Sequence, residues 1–334
     1  MRLRSLCVAL GLALFALGHA QAAGASSSQC GGVDLVAKMK RDDKAAFSAY
    51  EAEAGKTANA QGLLWRIEKK GAQPSHLFGT FHADDPRLMR MVEKAAPEIR
   101  KSKTAATEIG DMTKLAKALT VARITLKAMS GAENTLALVK DEARRKRIEA
   151  MLPDRMLDAA SADKMQPWLL LTMFALPVCQ LTRADKETVD DRVVAIANEK
   201  KIPVEALETV DEQLDAISSV DGDFVGRYLS SIADRPEMID DAFETMIRLY
   251  AESRVAAALP AMRHAFKMSD AEFELNKVFT KKLLGDRNLR MAERAAPMID
   301  KGGAFLAVGA LHLAGEDGLV ELFRKRGYKV TRVW

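Results

Sequence analysis

Aromatic residues make up only 6% of the 334-residue chain, and its charge has no strong sign: 50 Lys and Arg stand against 46 Asp and Glu, a formal +4. Few aromatics alongside 16 methionines argue against a β-sandwich and for a helix-rich protein with a soft core. The flat charge balance removes the electrostatic reason to expect a nucleic-acid partner. After Leu17 no stretch reaches the roughly 18 uninterrupted apolar residues of a membrane span. Familiar catalytic signatures are missing too. There is no His-Glu-x-x-His helix and no Gly-x-Ser-x-Gly elbow, and the earlier glycine that a phosphate loop ending in Gly55-Lys56-Thr57 requires falls on Tyr50. What remains, 48% hydrophobic and 29% charged, is globular composition, long enough for one large domain or two ordinary ones.

The N-terminus reads as a secretory signal over residues 1–22: Arg2 and Arg4, an apolar run from Leu6 to Leu17, then Ala20-Gln21-Ala22 in small-x-small form. The alternative is an uncleaved anchor. The expectation is an exported protein, soluble after cleavage and periplasmic in a Gram-negative host, with no transmembrane segment in the mature chain. Cys7 and His19 leave with the signal, and the loss of Arg2 and Arg4 lowers the formal charge to about +2. Cys30 and Cys179 remain, and an even pair in an oxidising compartment suggests one disulfide; two free buried thiols are the other reading.

Along the chain, residues 23–32 are a small-residue lead-in and Asp34 to Ala58 has helical composition. Alternation over Leu63 to Glu68, turn chemistry over Lys70 to Pro74, and His76 to Gly79 spell a β-hairpin. Asp85-Pro86 is a helix start, followed by an apolar face at Leu88, Met91, Val92, Ala95 and Ile99. Thr104 to Glu108 is a candidate strand. From Met112 to about Lys200 the pattern is helical, Ile202 to Leu207 reads as a strand, and Val220 to Pro297 is helical again. The tail has strand Ala304 to Val308, helix Asp317 to Arg326 with Gly327 as its stop, and strand Tyr328 to Val333, a βαβ unit. The fold class expected is α/β (α+β): a central mixed sheet built from the N- and C-terminal segments, with a large helical insertion. Residues 23–334 form a single domain on this reading, with 112–200 as insertion or cap.

Two segments match. Leu77-Phe78-Gly79-Thr80-Phe81-His82 and Ala307-Val308-Gly309-Ala310-Leu311-His312 each run apolar strand, Gly-x-x-His, acidic residues, helix. In open α/β sheets the functional crevice lies at the carboxyl ends of the strands, so such elements can deliver His82 and His312 to one site. Gly79 and Gly309 suit places where the backbone turns or approaches a neighbour closely. Imidazole is a metal ligand and a general base near neutral pH. A divalent metal wants a carboxylate as well, with an open position for water. Glu108 at a strand end is the first candidate and Glu208 the second. Two satisfied structural histidines at strand ends are the plainer reading, with Glu108 an ordinary strand-end charge and Glu208 a helix-capping acid. Asp84 and Asp85 read as caps. His76 and His264 lack the motif context and read as surface or packing residues.

These residues resemble the TraB/GumN family, related to the Tiki proteases and more distantly to erythromycin-esterase-like hydrolases. The marks are Gly79-Thr80-Phe81-His82, Glu108 in Thr107-Glu108-Ile109-Gly110, Pro167-Trp168, Leu207-Glu208-Thr209-Val210-Asp211-Glu212-Gln213, Asp286-Arg287-Asn288, and Val308 to Leu313 with Gly318 and Arg326-Gly327-Tyr328. The resemblance spans nearly the whole chain after the signal. It implies a metal-dependent hydrolase scaffold, proteolytic in the Tiki branch, with His82, His312 and Glu108 as the catalytic or metal-binding set and Glu208, Arg287 and Asn288 supporting. Gly110 stands where a second acidic residue is expected, although Asp111 follows. Arg287 either clamps an anionic intermediate or pairs structurally with Glu108 or Glu208.

The resulting expectation is a hydrolase, possible peptidase activity included, acting on a peptide or small molecule through a divalent Mn, Co, Zn or Fe ion. A metal-free esterase-like hydrolase and a non-catalytic binding protein on the same scaffold are the alternatives. Two imidazoles with carboxylates do not choose among those metals.

Overall fold

The computed structural model describes residues 30–130, 134–181 and 187–334. The signal expected at 1–22 lies outside the described residues, as does most of the lead-in. The strands are β1 (Leu64–Glu68), β2 (Ser75–Thr80), β3 (Thr104–Thr107), β4 (Val204–Ala206), β5 (Ala304–Gly309) and β6 (Lys329–Arg332). The helices are α1 (Leu35–Asp42), α2 (Lys44–Ala54), α3 (Pro86–Lys101), α4 (Lys114–Ala128), α5 (Glu142–Met151), α6 (Ala159–Asp163), α7 (Pro167–Ala175) and α8 (Val178–Leu181), then α9 (Val189–Glu199), α10 (Val210–Ser218), α11 (Gly222–Asp234), α12 (Met238–Ala251), α13 (Ala258–Ala265), α14 (Asp270–Lys301) and α15 (Leu319–Lys325). The fold is α/β with one mixed sheet contributed by both ends of the chain. The chain divides into two compact units, one around the sheet (33–111, 187–213 and 244–334) and one helical (112–186 and 214–243, with 30–32).

In the sheet unit the strand order is β4-β3-β5-β2-β1-β6. The hairpin forms as its turn chemistry demands, Leu64 opposite Phe78 and Arg66 opposite His76. β2, β5, β3 and β4 are mutually parallel, and β5, buried almost throughout, is the continuous apolar run of a strand covered on both faces. The tail differs from a compact βαβ unit in one respect. β5 and β6 are parallel but not neighbours, because β1 pairs with β6 on one side and β2 on the other. Trp65, Ile67, Leu77, Leu306, Val308, Met291, Ile299, Val320 and Phe323 form the core beneath it.

The helices that flank the sheet begin where their caps place them. Asp85 accepts the Arg87 N–H with Pro86 at the first helical position, and α3 buries Leu88, Val92, Ala95, Ala96 and Ile99. α9 starts from a capping box between Thr188 and Asp191 and packs against α3. α14 starts from a second box, Ser269 with Glu272, and ends at Gly302, whose φ of +75° turns the chain into β5.

The helical unit is built by itself. α7 opens on Pro167 and buries Trp168, Leu170 and Phe174, and α11 packs against α5 and α7. Gly226 lets α11 touch the backbone of Leu138: a Cβ there would lie 2.3 Å from its carbonyl oxygen. Cys30 and Cys179 are disulfide-bonded across 149 residues of sequence, as the even cysteine count suggested.

Candidate active site

Each of the four parallel strands delivers one ionisable side chain at its carboxyl end. Glu108 follows β3 directly, Glu208 lies two residues past β4, His82 two past β2, and His312 three past β5. The crevice rule for open sheets therefore brings together four residues far apart in sequence. His82 Nε2 and His312 Nε2 each lie 3.8 Å from the same atom, Glu108 Oε1. Gly309 faces this triangle. A Cβ built on it would sit 3.2 Å from Glu108 Oε1, 3.6 Å from His82 Nε2 and 3.6 Å from His312 Cδ2, so the absent side chain is what keeps the space between the three open. Gly79 does different work: its Cβ would press within 2.9 Å of Ala310, so it lets β2 and the end of β5 pack closely.

The glutamates are held from behind. Glu108 Oε1 accepts the Gly309 N–H at 2.7 Å, and Oε2 accepts from Arg287 Nη2 at 2.8 Å and Gln213 Nε2 at 2.9 Å. Glu208, with no side-chain exposure, takes Arg287 Nε on both oxygens at 3.0 Å and Nη2 on Oε2 at 2.7 Å. Of the two readings of Arg287, the geometry shows the structural pairing: its Nε and Nη2 are spent on carboxylates.

The two histidines, matched in sequence, have unlike partners. His82 Nδ1 meets Asp190 Oδ2 at 2.7 Å, a close ion pair without an aligned hydrogen bond, and Asp190 Oδ1 accepts from the Thr80 hydroxyl at 2.8 Å. His312 Nδ1 bonds Asn288 Oδ1, and Asn288 Nδ2 donates to the Asp317 carbonyl at 2.8 Å. Because the amide nitrogen is committed to a carbonyl, its oxygen must accept from His312 Nδ1–H, which leaves the lone pair of Nε2 toward Glu108. His82 is the exposed member, 23% against 4% for His312, and marks where solvent reaches the set.

The charge states follow from these partners. Burial works against the His82 imidazolium, but Asp190, then Glu108, hold its pKa well above the usual value. Burial pushes His312 down to about 3, with Arg287 and His82 adding to it against Glu108. Burial works to raise Glu108, yet His82, His312 and Arg287 hold it well below the usual carboxylate range.

The donor set suits a divalent cation in kind and in charge. Glu108, Glu208 and Asp190 carry three negative charges against one positive on Arg287; with both imidazoles neutral, the buried set carries a formal charge of −2. As they stand, however, no group of three or more His, Cys, Asp or Glu side chains among the described residues could hold a metal ion. The 3.8 Å separations exceed the roughly 3.4 Å between two ligands of one tetrahedral zinc-type ion. They match a set in which the proton on His82 supplies the positive charge.

All eight candidate site residues lie in the sheet unit, and His82, His312, Glu108, Glu208, Arg287, Asn288 and Gly309 form one connected cluster. Sequence reasoning missed Asp190, Thr80 and Gln213. Gln213 belongs to the Leu207–Gln213 run and Thr80 to the first Gly-x-x-His segment, but the site depended on neither. Asp190, in the first turn of α9, has no spacing relation to either histidine. His76 stands 3.9 Å from Glu98, His264 pairs with Glu53 at 2.7 Å, and Asp85 caps α3, all away from the cluster. Residues 63–332 match the TraB/PrgY/gumN family, so the chain belongs to that family. No curated protein and no solved structure matched the chain.

Proposed function

We propose that this TraB/PrgY/gumN family protein is a hydrolase whose reacting centre is the space enclosed by His82, His312, Glu108 and Gly309. His82 Nε2, His312 Nε2 and Glu108 Oε1 would hold a divalent cation, Mn, Co, Zn or Fe. The observation that carries the reading is the convergence of His82 Nε2, His312 Nε2 and Glu108 Oε1 on a gap that only a glycine leaves open. A divalent ion bound there supplies activation of water for attack on a carbonyl carbon. The chain's own residues do the rest. Asp190 and Asn288 fix the two rings through their Nδ1 atoms, so that both Nε2 atoms face the gap. Arg287 and Gln213 hold Glu108 and Glu208 in place, which makes Arg287 a positioning residue. Peptide bonds are the substrate class proposed first. The disulfide supports an exported, oxidising setting for this activity.

Elemental analysis of protein purified without chelator tests it, beside the His82→Ala/His312→Ala variant. About one metal per chain in the wild type and none in the variant is expected. Retained metal in the variant, or none in either after soaking with manganese, cobalt and zinc, overturns it.

One observation favours a second reading. His82 is held charged and His312 neutral, the unequal pair that acid–base chemistry needs without a metal. Hydrolysis that survives exhaustive chelation selects that alternative.

A further inference from the structure

Among the described residues two arginines are almost wholly buried, Arg287 at 6% exposure and Arg155 at 3%. Arg287 spends its nitrogens on Glu108 and Glu208. Arg155, in the helical unit, has no such outlet. It closes the 3-10 turn Pro153–Arg155, and its guanidinium carbon stands 4.4 Å from the centroid of the Phe174 ring on α7. An aromatic face steadies a cation without taking up its five N–H donors. Nε is buried with no hydrogen-bond partner, and no carboxylate of a described residue comes within 4.0 Å of the guanidinium. Arginine is almost never buried unpaired, because its charge and donors are costly to take out of water unbonded. Burial accordingly draws Arg155 below the usual arginine range, with Asp240, Asp154 and Tyr228 acting the other way from a distance.

Tyr228 on α11 shares these surroundings. Its hydroxyl makes no hydrogen bond to a described residue, and burial pushes it up to about 12, so at neutral pH it is an intact O–H donor. Arg155 opposes that rise, which puts the two groups within range of each other's field. A buried guanidinium and a phenol, both with donors unspent, are the protein half of a site for an oxygen acceptor. The neighbouring charges narrow the choice. Asp154 is exposed, and Asp240 on α12 is half-buried, its carboxyl pushed up by burial and by Asp241 against the pull of Arg155. These carboxylates repel an incoming anion in proportion to its charge, so one negative charge is tolerated better than two. A carboxylate meets both conditions, with two acceptor oxygens for the guanidinium fork and a single charge.

We propose that Arg155 and the Tyr228 hydroxyl form a binding site for a small monocarboxylate, the guanidinium donating to its oxygens and the phenol adding a further O–H. The site belongs to the helical unit, whereas the histidine cluster belongs to the sheet unit, and the proposal is independent of the hydrolase reading.

The test is calorimetric melting of the full chain at neutral pH in sodium chloride, sodium acetate and sodium phosphate of equal ionic strength, beside Arg155→Met and Tyr228→Phe. Acetate is expected to raise the wild-type melting temperature over chloride by at least about 4 °C, and by more than phosphate does. Arg155→Met removes the uncompensated charge, so it should melt at or above wild type in chloride and lose the acetate gain. Tyr228→Phe keeps the ring and should melt near wild type in chloride, yet need at least about threefold more acetate for the same gain. An acetate gain that is absent in the wild type, or equal in wild type and Arg155→Met, overturns the proposal. A wild-type gain larger in phosphate than in acetate overturns the choice of a carboxylate. Arg155→Met melting well below wild type in chloride also overturns it, because the guanidinium would then be satisfied inside the fold.

Discussion

Gly309 separates the site's chemistry from the protein's stability. Its φ of −48° suits any residue, and the contacts a Cβ would make are with Glu108, His82 and His312 rather than with backbone. Gly309→Ala is therefore expected to lower divalent-metal affinity by at least about tenfold while shifting the melting temperature by only a few degrees, about the change that 1 kcal/mol brings. Metal titration beside calorimetry reads both, and unchanged affinity would show that the triangle is not the site. The histidines give a pH dependence with a definite sign. With its pKa held well above the usual value, His82 is protonated at neutral pH, and an incoming cation has to displace that proton. Metal affinity should rise about tenfold per pH unit over this range, with proton release visible as a buffer-dependent heat in calorimetric titration. In the metal-free protein the two rings oppose each other. His82, raised, contributes stability that is present below about pH 6.5 and lost as pH climbs through its folded value. His312, held down at about 3, favours the folded state above about pH 6.5 and loses that contribution as pH falls toward 3. Metal-free His312→Asn should consequently melt less steeply with acidification than the wild type.

Elements matter here through what they tie together. α14 carries Arg287 to the ends of β3 and β4, where one guanidinium separates two buried carboxylates. Arg287→Met leaves Glu108 and Glu208 as uncompensated buried charge, and a loss of about 3–5 kcal/mol in urea unfolding is expected; a loss below about 1 kcal/mol would place the pair in contact with water. This pairing was legible in sequence only as one of two alternatives, because an arginine on a helix does not reveal which strand ends it will face. The hairpin, by contrast, was readable from Leu63 to Gly79. Alternation and the Lys70–Pro74 turn are local causes, and β1 and β2 formed where they pointed. The strand expected at 202–207 is shorter, Val204–Ala206 in register with Ala105–Thr107, although the flanking Pro203 carbonyl and Leu207 N–H still bond to β3.

For the whole molecule, the Cys30–Cys179 bond is a covalent constraint across 149 residues in the helical unit. Closing a loop of 149 residues stabilises by about 5 kcal/mol if chain entropy acts alone, so reduction or Cys179→Ser should lower the melting temperature of the helical unit first. Calorimetry of oxidised and reduced protein checks this; coincident melting in both states would contradict it. Of the two compact units, one carries the candidate site and the other the disulfide.

By itself the sequence determined most of the strand segments, the two Gly-x-x-His elements, the glutamate at a strand end and the Asp85-Pro86 start of α3, since each follows from residues within a few positions of one another. His82, His312 and Glu108, named from those local patterns, come together in the folded chain. Only the tertiary structure decided that the two histidines are unequal. Their partners, Asp190 from α9 and Asn288 from α14, arrive from segments 108 residues after His82 and 24 before His312, and no local pattern records which side chain will stand behind a ring. The burial that keeps His312 neutral and the carboxylates that hold His82 charged against its own burial are likewise properties of the packed unit rather than of any stretch of chain.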